Sequence, residues 1–87
     1  MLKIERSATD ALVVFAVSGE IGMDEVAELR SVLASEPSFQ KVLDLKDVTI
    51  VDRDAVMFLA DCETDGIALK NCPRFIRQWI VRERGLG

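Results

Sequence analysis

The chain has 87 residues, 49% of them hydrophobic and 30% charged, with a net charge of −4, two cysteines and no histidine. That length suits one domain, 1–87, burying roughly 60–65% of its unfolded surface, and the composition is globular rather than disordered. An acidic balance excludes the basic field that non-specific nucleic-acid binding needs, and the lack of histidine removes the usual zinc ligand and every Ser-His or Cys-His nucleophile pair.

In chain order, Leu2-Lys3-Ile4-Glu5-Arg6 alternates apolar and charged residues, which predicts an edge strand with one wet face. "SATDA" (7–11) supplies a turn, and "LVVFAV" (12–17) is continuously apolar, as for an interior strand covered on both faces. These two strands should form an antiparallel hairpin. "SGEIG" (18–22) breaks the pattern, and Asp24 with Glu25 opens a helix with Met23, Val26, Leu29 and Leu33 on one face, stopped by Pro37. "KVLDL" (41–45) reads as a short core strand. Val48, Ile50 and Val51 should then tuck beneath a connection to a helix over 53–65, with Ala55, Phe58, Leu59 and Cys62 inward and Gly66 as terminator. "IALKN" (67–71) is the last strand. Pro73 fits the first turn of a final helix whose Phe75, Ile76, Trp79 and Ile80 form an apolar stripe. The order β-β-α-β-α-β-α predicts a small mixed α/β sheet layered with helices, strands two to four being parallel.

No apolar run approaches the length of a membrane span, and the N-terminus has no signal-peptide pattern, so a cytoplasmic location is expected. Charge is uneven: residues 1–73 carry 7 basic and 14 acidic groups (−7), whereas 74–87 carry 4 arginines and 1 glutamate (+3). A basic last helix on an acidic body can steer a partner or an anionic surface; a solvated face with cations near the helix C-terminus is the simpler account.

The triplet Asp52-Arg53-Asp54 stands where a buried segment hands over to a helix. Asp52 occupies an N-cap position and Asp54 the first turn, which accounts for both carboxylates by capping and the helix dipole. Arg53 has no such account. Two chemical alternatives exist. Asp44, Asp47, Asp52 and Asp54 could hold Mg²⁺ for phosphate chemistry, but Asp44 lies within its strand and no lysine-bearing glycine loop accompanies it. Cys72, beside Arg74 at a helix start, could serve as a thiol redox sensor, although no CxxC pair is present.

The segments "VVFAVSGEI", "KVLDLKDVTIVDRDAVMFLAD", "GIALKN" and "CPRFIRQWI", in that order over roughly residues 10–82, resemble the STAS domain of bacterial anti-sigma factor antagonists. The resemblance implies a STAS-like fold and a non-enzymatic, cofactor-free module that controls transcription by binding a regulatory protein, an anti-sigma factor kinase. In that family the corner reads Asp-Ser-Ser/Thr-Gly, and the hydroxyl residue two after the Asp is phosphorylated to release the partner. Here Asp52 matches the Asp, Arg53 replaces the first Ser, Asp54 falls on the phosphoacceptor position and Ala55 replaces the Gly. The family acid expected near Gly22 is absent. Asp54 carries one negative charge where a phosphoserine carries about −1.5 to −2, so the switch is expected to be lost. The expected partner surface comprises Asp52, Arg53, Asp54 and Ala55 with Gly19, Glu20 and Gly22. Family members usually continue with a further strand and helix, so the chain looks shortened at its C-terminus, which would favour a homodimer.

Overall fold

The computed structural model describes residues 2–9, 11–37 and 40–85. Its elements are β1 (Leu2–Ala8), β2 (Val13–Ile21), α1 (Met23–Ser35), β3 (Lys41–Val51), α2 (Arg53–Thr64), β4 (Ala68–Lys70) and α3 (Arg74–Gly85). The β-β-α-β-α-β-α order is the predicted one. The strands form one sheet in the order β1-β2-β3-β4, antiparallel between β1 and β2 and parallel across the other two pairs. The predicted turn residue Asp10 lies outside the described residues.

One face of the sheet is covered. Val13, Phe15 and Val17 on β2 and Leu43 and Leu45 on β3 are buried, and they share a core with Leu29 of α1, Leu59 of α2 and Ile76 and Ile80 of α3. Between them Val14, Val42 and Asp44 are half-buried and Ala16 is exposed. The continuous apolar run on β2 therefore does not mark a strand covered on both sides, as its composition suggested. Both crossovers step the same way across the sheet, so with one hand of connection α1 and α2 fall on one side.

β2 and β3 outrun their predicted lengths. β2 continues through Ser18 and Gly19 to Ile21, and β3 continues ten steps from Lys41 to Val51 against eight from Val13 to Ile21. The register shifts between Ala16 and Ser18 and between Gly19 and Glu20, each time leaving an extra residue on β3. These bulges explain the hydrophobic spacing: buried positions fall at 43, 45, 48 and 51, two apart and then three apart. Val48 and Val51 thus lie within the strand, while Ile50 is exposed. Gly19 has φ 95°, a conformation other residues rarely adopt, where the second shift begins.

The helix ends follow local chemistry. α2 closes in a Schellman turn: the Gly66 N–H donates to the Glu63 carbonyl at 3.1 Å, and the Ile67 N–H to the Cys62 carbonyl at 2.9 Å. Gly66 has φ 93°. Pro73 precedes α3 instead of joining it, and its carbonyl accepts the first helical bonds from Ile76 and Arg77. Met23 and Phe75, expected on apolar faces, are 66% and 46% exposed, so the buried stripes of α1 and α3 are narrower than periodicity suggested.

Candidate functional site

Two helix N-termini meet at the carboxylate of Asp52. One oxygen, Oδ1, accepts the Ala55 N–H of α2 at 2.9 Å; the other, Oδ2, accepts the Met23 N–H of α1 at 3.1 Å. The Asp52 N–H donates to the Ile21 carbonyl at 3.3 Å, fixing the end of β3 against the end of β2. Glu25 completes the start of α1 by accepting the Gly22 N–H at 2.9 Å. A negative charge here lies at the positive ends of two helices, which stabilises both. The cap of α2 was legible from sequence. The bond to Met23 spans 29 residues and has no local signal.

Gly22 is half-buried in this junction. A Cβ built on it would lie 3.2 Å from the Glu25 carboxylate and 3.4 Å from the Asp52 carboxylate. A side chain at position 22 would thus lie against both carboxylates. Gly19 and Gly22 are half-buried and Glu20 is exposed, as are Asp52, Arg53 and Asp54. Gly22 adjoins Asp52 at this corner, while Gly19 and Glu20 lie on β2 opposite Val48 and Ile50. Ala55 does not join that surface. Its side chain is fully buried and its N–H belongs to Asp52.

Arg53 has a partner that the sequence did not suggest. Its Nε lies 3.4 Å from Oε1 of Glu83 on α3, with the arginine side chain still 72% exposed. The same Glu83 oxygen accepts the Trp79 Nε1–H at 3.2 Å. Asp54 is exposed in the first turn of α2, and one helical turn on, Met57 is exposed too. Met23 and Met57 therefore add exposed apolar surface to α1 and α2.

The other candidate groups lie apart from this corner. Asp44 Oδ1 accepts the Lys46 N–H at 3.0 Å and the Asn71 amide at 3.3 Å, tying β3 to the end of β4. Asp44 and Asp47 line a cleft of about 260 Å³ on the open sheet face with Lys3, Glu5, Ser18 and Lys46. Among the described residues no three acidic or thiol groups are gathered to hold a metal ion. Burial pushes the Cys72 thiol above its usual value and the Cys62 thiol up to about 11, so neither site favours a thiolate. Two of the four arginines of α3 are engaged internally, since Arg77 and Arg84 both reach Glu63 of α2. No helix among the described residues is long and apolar enough to cross a membrane.

No family model and no curated protein matches this chain. Solved structures do. The anti-sigma factor antagonist SpoIIAA in its unphosphorylated form superposes with a TM-score of 0.65 at 16% identity, over 90% of this chain and 79% of that one. An uncharacterised DUF3478-family protein with a SpoIIAA-like fold, from Shewanella loihica PV-4, gives 0.56 at 13% identity over 98% of this chain and 78% of that one. Mglu gives 0.66 at 17% identity over 80% of this chain, which spans only 19% of Mglu's length. The chain has a SpoIIAA-like, STAS-like fold.

Proposed function

We propose that this chain is a non-enzymatic docking module that regulates transcription by binding a regulatory protein of the anti-sigma factor kinase class in the cytoplasm of a bacterium. The observation that carries this reading is the corner built on Asp52, set on a fold shared with an anti-sigma factor antagonist. Two helix starts and the end of β2 are held there in one rigid arrangement, which lowers the ordering cost of binding. Arg53, Asp54 and Glu20 are the charges offered to the partner, and Asp52 is the scaffold beneath them. The resemblance that places Asp54 at the phosphoacceptor position supports a module without the phosphorylation switch. Exposed charges of this kind set partner choice and association rate more than stability.

Affinity capture with tagged protein from its own cell lysate tests this, beside an Arg53→Glu/Asp54→Lys variant, with captured proteins identified by mass spectrometry. The native protein should retain an ATP-binding, kinase-like regulator that the variant loses, while the two melt within a few degrees of one another. Capture that is indifferent to the corner would refute the docking surface.

A further inference from the structure

β1 is an open edge. Among the described residues it pairs only with β2, and the opposite edge, β4, is three residues long against seven in β1. We propose that β1 docks antiparallel on β1 of a second copy of this chain, about a two-fold axis at Ile4, joining two four-stranded sheets into one.

Symmetry restricts the choice of register. In a two-fold antiparallel ladder the residue on the axis faces its own copy, and flanking residues exchange partners reciprocally. Registers that pair at least five residues of β1 centre on Ile4, Glu5 or Arg6. Centring on Glu5 sets glutamate against glutamate, and centring on Arg6 sets arginine against arginine; like charges directly opposite destabilise a sheet. Centring on Ile4 sets each Lys3 against the Glu5 of the other copy, twice over.

Both faces of the strand fit that register. Lys3 and Glu5 lie on the open face, beside Ser18 and Ala16 of β2. They pair with each other at 3.1 Å and are 72% and 67% exposed, so turning them toward a second copy removes little. On the helix side Leu2 and Ile4 are only partly buried against the core. Across the axis Ile4 meets its copy, and Leu2 meets the hydrocarbon stem of Arg6, whose guanidinium is already fixed by Glu36 at 2.8 and 3.2 Å. Charges on an edge strand ordinarily guard it against pairing. Here the lysine and the glutamate flank the axis residue symmetrically, so the guard fails in one register.

Sedimentation velocity over a concentration series, with the full chain, tests the proposal. The native chain should show a monomer–dimer equilibrium. Lys3→Glu alone and Glu5→Lys alone should each weaken self-association by about tenfold, because two attractive pairs become repulsive. An equimolar mixture of these two variants restores complementarity and should recover the dimer, and circular dichroism checks that each is folded. A native chain that stays monomeric at millimolar concentration overturns the proposal. So does a dimer that Glu5→Lys leaves unchanged, or a mixture no tighter than its components.

Discussion

A carboxylate has two oxygens, and at Asp52 each serves a different helix. A lost cap costs about 0.5–2 kcal/mol, so Asp52→Ala should cost about 1–3 kcal/mol, more than a single cap, as read from the urea midpoint. Asp52→Ser should restore part of it, because one hydroxyl can serve α2 but not both helices. Equal stability of the Ala and native chains would refute the double cap. Asp52 was legible as a cap because the signal is local: a short acid three residues before the amide it accepts. Its second bond, and the Arg53–Glu83 pair, join residues about 30 apart in sequence and depend on the packing of α1 and α3. Ala55 was misplaced on the surface for a related reason. Matching it to a family glycine assigned it a role, whereas its own place on the inward face of α2 determines its burial.

At the scale of elements, α2 and α3 are locked by one acid between two arginines. Glu63 accepts from Arg77 at 2.9 and 3.0 Å and from Arg84 at 3.1 Å, and the Arg77 hydrogen bond leads in holding the Glu63 carboxyl below its ordinary value. A carboxyl with a lowered folded pKa stabilises the fold above its unfolded value, about 4.3, and loses that contribution as pH falls through the lower folded value. Glu63→Gln should therefore cost about 1 kcal/mol at pH 7, with the difference from the native chain shrinking as pH drops below about 4. A difference that persists unchanged in acid would show that the carboxylate is not its source. The helices were legible because their 3.6-residue period held. β3 was cut short because its buried residues switch from two-residue to three-residue spacing at the bulges, and a period-2 reading stops at Leu45.

For the molecule as a whole, helices on one side of the sheet leave the stability unevenly distributed. Replacing the fully buried Leu43 by alanine should cost about 2–5 kcal/mol, whereas replacing Val14, half-buried on the opposite face of the adjacent strand, should cost less than about 1 kcal/mol. Comparable losses, measured by chemical denaturation, would mean that the open face is covered in solution. The topology was legible from the alternation of strands and helices after the hairpin. One-sided layering was not, because valine-rich sequence reads alike in a strand covered on one face or two.

The sheet order β1-β2-β3-β4 is also the order of the chain. Each of β2, β3 and β4 emerging from a ribosome therefore finds a neighbour already made, and none has to wedge between two strands that have joined. Growth proceeds at a single front, with α1 and α2 laid down between one addition and the next. Such a chain meets few long searches, since each pairing closes a short loop of recent sequence. Growth from β2 toward β4 also moves steadily away from β1, so β1 stands at the margin that the other three described strands leave behind.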